Sequence, residues 1–114
     1  MHRFKDLEIW KSSRKFCSEI YAITSNFPES EKFGLTNQLR RASVSVPSNI
    51  AEGSGRTSDK EFLYFLNIAL GSSYELETQT LLISDIYQIE IDNFLTKLHL
   101  IQKQIGSLKR TLEK

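Results

Sequence analysis

From Phe62 to Tyr87 an apolar or small residue returns at alternating steps of four and three: Phe62, Leu66, Ala69, Ser73, Leu76, Thr80, Ile83 and Tyr87. On an α-helix that spacing keeps one row on one side for nearly four heptads, which is the seam of a helix packed nearly parallel to its neighbours. A strand would need alternation with period two, and the chain shows none. Two prolines and five glycines in 114 residues leave the other long stretches equally free of breakers.

Three further segments follow the same rule. The first is expected to start at Asp6, an N-cap with Glu8 in the first turn, and to run to about Ser25 on two adjoining stripes, Leu7/Trp10/Cys17/Ile20/Thr24 and Ile9/Phe16/Ile20/Ile23. Asn26 to Ser30 supplies a turn, since Pro28 can open a helix but not continue one. The second helix carries Leu35, Leu39, Ala42, Val46 and Ile50; Pro47 removes one backbone hydrogen bond and predicts a kink near residues 43–47. Gly53-Ser54-Gly55 ends it, and Ser58 with Glu61 reads as a capping box opening the third helix. The fourth follows Asp92 with Phe94, Leu98, Ile101, Ile105, Leu108 and Leu112. Connections this short force each helix against its predecessor in the opposite direction. The expected fold is one all-α domain over residues 1–114, an antiparallel up-down-up-down four-helix bundle.

Charge excludes some roles and leaves others. A composition of 39% hydrophobic and 25% charged residues is that of a globular chain, and a net charge of +1 gives no global field for nucleic acid. The asymmetry is local: residues 1–60 hold ten Lys/Arg against seven Asp/Glu, and residues 61–114 hold five against seven. A lone Cys17, a polar N-terminus without a signal-peptide core and no apolar run of about 18 residues predict a cytoplasmic protein that spans no membrane.

Catalytic equipment is missing from the pattern. His2 and His99 have no second His or Cys at ligand spacing, so no metal is expected. Cys17 lies on an apolar stripe and reads as an inert thiol. Glu75 and Glu77, two residues apart, fall on different faces of a helix. Gly53-Ser54-Gly55 lacks the Gly-Lys-Ser/Thr ending of a phosphate loop. The expectation is a non-enzyme without a cofactor.

The stretch from Leu35 to Glu77 is dense in specific small and polar residues. Gln38, Arg40, Arg41, Ala42, Ser45, Pro47, Asn49, Ile50, Ala51, Glu52 and Gly53, followed by Gly71, Ser72, Glu75, Leu76 and Glu77, resemble the motif of the bacterial four-helix-bundle family encoded in intervening sequences of 23S ribosomal RNA genes. The chain is also similar to the accessory variability determinants of diversity-generating retroelements. The resemblance implies a four-helix bundle assembled as a ring-shaped homopentamer, with RNA or DNA binding and no enzymatic activity.

The residues themselves leave two roles open for this segment. Ala42, Ser43, Ser45, Ser48 and Ala51, with Ala69, Gly71, Ser72 and Ser73, are small enough for two helices to approach closely. Counting back from the turn puts Arg41 within reach of Glu75 for an ion pair. On that reading Arg41, Pro47, Asn49, Glu52, Gly53, Ser72 and Glu75 are structural, with Asn49 and Glu52 serving backbone groups freed at the proline and the helix end. On the other reading Arg40, Arg41 and Arg56 touch a ligand beside the first-helix cluster Lys5, Lys11, Arg14 and Lys15, and repetition of a weak basic patch in an oligomer raises affinity for RNA or DNA. The competing function is an adaptor that holds a protein partner, such as a reverse transcriptase. Ile9, Phe16, Leu63, Leu70 and Leu81, off the main seams, predict self-association.

Overall fold

Four helices are what the seams build. A computed structural model describes residues 2–114 as α1 (Glu8–Thr24), α2 (Leu35–Ser54), α3 (Asp59–Tyr87) and α4 (Asp92–Leu112). Each helix packs on the next and α1 meets α4, closing an elongated bundle of 44 × 22 × 20 Å. All of the α3 seam except half-buried Tyr87 is buried, and Ile50, Leu66, Ala69 and Ile105 have no exposed surface at all. Burying a Leu or Ile side chain contributes about 1.5–3 kcal/mol, so these rows carry the fold.

The start of α1 differs from expectation. Phe4–Asp6 winds a 3-10 turn in which the Leu7 amide bonds to the Phe4 carbonyl at 3.0 Å, so Asp6 is spent inside that turn. Extended Leu7 precedes α1, without a side-chain cap. The Phe4 ring meets Trp10 edge-on at 5.0 Å, an apolar contact that fixes this geometry.

α2 runs through Pro47 as one helix. Asn49 was expected to serve the carbonyl of Ser43 that the proline frees; its amide donates instead to the Ser45 carbonyl at 2.8 Å and the Ser45 hydroxyl at 2.9 Å. Ser45 in turn shares a 2.8 Å hydroxyl contact with Ser72, so Pro47, Asn49 and Ser72 sit around one link between α2 and α3. Glu52 does not cap the helix end; its carboxylate pairs with Arg56 one turn on, at the surface.

Gly53 is required by packing. A Cβ there would stand 2.7 Å from Phe65 Cβ and 2.9 Å from Phe62 Cδ1. Gly71 is not part of that close approach: a Cβ on it would meet nothing within 4 Å, because it points away from the bundle. The capping box forms by half, with Ser58 Oγ accepting from the Glu61 amide at 3.2 Å. α3 ends on left-handed Gln88, whose amide bonds back to Ser84 at 2.8 Å.

The apolar surplus lies elsewhere than predicted. Ile9 and Phe16 are core residues, Leu63 and Leu70 pack partly buried against the core, and only Leu81 of that set is exposed. The two stripes of α1 were absorbed because α2 and α4 flank it on both sides. In their place Tyr64, Ile68, Tyr74, Leu82 and Ile86 stand out from α3, each 37% to 63% exposed.

Candidate nucleic-acid interface

Charge divides by helix. α1 and α4 together hold seven Lys/Arg against three Asp/Glu, whereas α2 and α3 hold three against six. Since α1 and α4 are neighbours in space, the positive excess gathers on one side of the bundle.

Lys11, Arg14 and Lys15 on α1 are all exposed, as is Lys5 in the 3-10 turn that packs on α1 and α2. Lys11 and Lys15 are one turn apart on α1; Lys11 makes a 3.5 Å surface contact with Glu8, of a kind worth little in water. The Arg14 guanidinium lies 5.3 Å from the Trp10 ring centroid, which steadies it without neutralising it. Lys15 borders a groove between α1 and α4 with Lys97, whose ammonium is held by Glu19 at 2.7 Å.

Arg40 is engaged within the fold and Arg56 in a surface pair. Arg40 Nε donates to Thr24 Oγ1 at 2.8 Å and Nη2 to the Tyr21 carbonyl at 3.3 Å, with the guanidinium 4.7 Å from the Tyr21 ring centroid. It holds the last turn of α1, where orphan carbonyls and the helix dipole favour a cation. Arg56 pairs with Glu52 and sits 4.7 Å from the Phe65 ring centroid.

Arg41 and Glu75 do border one cavity, of about 320 Å³, between α2 and α3. No salt bridge joins them among the described residues, which corrects the expected ion pair: both side chains are exposed. The Ser45 and Ser72 hydroxyls line the same cavity, and Gln79, 9% exposed, brings a carbonyl oxygen without a hydrogen-bond partner.

Sequence reasoning passed over α4. His99, Lys103 and Arg110 border an open groove with Gln102, Gly106 and Ser107. The signal was the spacing of 99, 103, 107 and 110, which is one side of a helix. Glu77 of α3 faces this row and is occupied by it: Gln102 donates to it at 3.0 Å and His99 Nε2 lies 3.3 Å away. Those two hydrogen bonds, Gln102 first, hold the Glu77 carboxyl below its ordinary value.

No helix among the described residues is long and apolar enough to cross a membrane, and none of their His, Cys, Asp and Glu side chains form a group of three or more able to hold a metal ion. The arrangement is that of an all-α four-helix bundle with a cationic side and an apolar, acidic one. The chain belongs to the 23S rRNA-intervening sequence protein family, which matches it over residues 5–110. It is similar in fold to the crystal structure of a protein of unknown function from the S23 ribosomal protein family of Bacteroides thetaiotaomicron, with a TM-score of 0.66 and 23% identity over 91% of this chain and 94% of that one. No curated protein matches the chain.

Proposed function

We propose that this protein is a non-enzymatic, oligomeric scaffold that binds RNA or DNA through the cationic side formed by α1 and α4. The observation that carries the reading is the exposure of Lys5, Lys11, Arg14 and Lys15, while Arg40 is held by Thr24 and Tyr21. Phosphate contacts by such side chains are independent of sequence and weak per copy, and repetition in an assembly multiplies them. The non-enzymatic part is supported by the setting of the thiol: Cys17 Sγ faces the Ser43 hydroxyl at 3.4 Å, and among the described residues no basic side chain is hydrogen-bonded to it.

The exposed face of α3 supports a homo-oligomer, and the pentamer as its form rests on the family resemblance alone. The exposed α3 row Tyr64, Ile68, Leu82 and Ile86 is too apolar to remain solvated without cost, and Gly71 in its middle leaves room for close approach. Replacing Lys11, Arg14 and Lys15 together by Glu abolishes retention on RNA near about 50 mM salt while helix content and assembly size stay as in the parent. Unchanged retention moves the contact to Arg41 or elsewhere; no retention by the parent at low salt supports the adaptor reading, in which the apolar side holds a protein partner.

A further inference from the structure

Gly106 has no structural reason to be glycine. It lies in the interior of α4, where glycine costs about 1 kcal/mol relative to alanine, and a Cβ there would make only an ordinary 3.5 Å contact with the mobile Arg110 head. Around it stand His99, Lys103, Ser107 and Arg110, at steps of four, four and three along one side of the helix. The groove they border is open and about 820 Å³ in volume. Bare backbone at Gly106 gives this groove a floor that a large side chain would obstruct.

We infer that this row is a phosphodiester-binding track, in which Lys103 and Arg110 each neutralise a phosphate, Ser107 donates a hydrogen bond, and the strand passes over Gly106. The inference rests on the nucleic-acid reading above and adds a second contact surface to it. One helical turn rises about 5.4 Å, so successive members of the row offer a donor at each turn, on the scale of the phosphate repeat of an extended strand. Glu77, which meets the row from α3, stays ionised but is hydrogen-bonded to Gln102 and His99 at the N-terminal end of the row, and Lys103 and Arg110 outnumber it. Arg110 lies near the C-terminus of α4, where the helix dipole stabilises a cation, and its fork suits two phosphate oxygens.

Fluorescence anisotropy with a short labelled oligouridylate and an oligothymidylate of equal length, over a salt series, tests it on the full chain. The double variant Lys103→Gln/Arg110→Gln is expected to bind with a log–log salt slope shallower by about 1.4, from about 0.7 per lost phosphate contact. Gly106→Leu is expected to raise the melting temperature, since leucine is the better helix former, and yet to weaken binding severalfold. A glycine of merely structural origin would give the stability gain without the loss of affinity. Equal effects on both oligonucleotides assign the track to the phosphodiester chain, whereas loss confined to RNA assigns it to the ribose hydroxyl and overturns the phosphate reading. An unaltered slope in the double variant, with the parent still binding and the Lys11/Arg14/Lys15 variant still defective, overturns the α4 track alone. A parent that binds neither strand overturns the track and the nucleic-acid reading together.

Discussion

Where α2 meets α3, Gly53 has no room for a Cβ and the Ser45 and Ser72 hydroxyls meet at 2.8 Å. Where α1 meets α4, long side chains make the contact: Phe16 lies edge-on to Phe94 at 6.1 Å and Lys97 reaches Glu19. The first junction is the motif-dense one, and its small residues Gly53, Ser45 and Ser72 hold two backbones together while Arg41 and Glu75 stay exposed. The second is plain in sequence, and apart from Lys97 its cations Lys11, Arg14 and Lys15 remain exposed. Density of unusual residues therefore marks close packing in this bundle, while the positive excess sits on the helices that looked generic.

That contrast can be broken at several points. The largest effect is expected on the outer face of α3, where Ile68→Glu with Leu82→Glu should convert the assembly to a 13.2 kDa single copy that stays helical. Sedimentation of parent and variant at micromolar concentration reads this directly, and a parent already at that mass ends the self-assembly argument. Next comes the junction itself. Gly53→Ala drives a methyl group to within 2.7 Å of Phe65 Cβ and should destabilise by about 2 kcal/mol, because overpacking outweighs the better helix propensity of alanine. A denaturant midpoint equal to that of the parent would show that α2 and α3 can part without strain. The smallest effect belongs to the unpaired charges: Arg41→Ala and Glu75→Ala should each stay within about 0.5 kcal/mol of the parent, as exposed substitutions do. A loss several times larger in either melt would restore the ion pair that the geometry does not form.

Much of the architecture was legible because a seam such as Phe62 to Ile83 has only one helical solution. Boundaries read less well. Asp6 is as good an N-cap in composition as any, but a 3-10 turn anchored by Phe4 on Trp10 claimed it first, and that contact has no periodic signature. The candidate interface was half legible. Lys11, Arg14 and Lys15 announce themselves by spacing, whereas the withdrawal of Arg40 depends on Thr24 and Tyr21, sixteen and nineteen residues away in sequence and brought beside it only by the fold. Arg41, its immediate neighbour, looks identical in sequence and faces a different groove.

The Lys97–Glu19 contact spans 78 positions of the chain, and among the described residues the helices it joins are the one contacting pair without a short connection. Loops this long are closed late, because their entropy must be lost before the contact repays it. α1, α2 and α3 can condense as successive hairpins, leaving α4 to seal the remaining groove. In the native state the same seam is where partial opening should start: release of Lys97 and Phe94 would swing α4 aside and bare Ile101 and Ile105 while the α2–α3 pair stays intact. Amide protons of α4 should accordingly exchange sooner than those around Ile50 and Leu66, and a bound strand lying across α1 and α4 would slow that opening, acting as a clasp on the last helix to arrive.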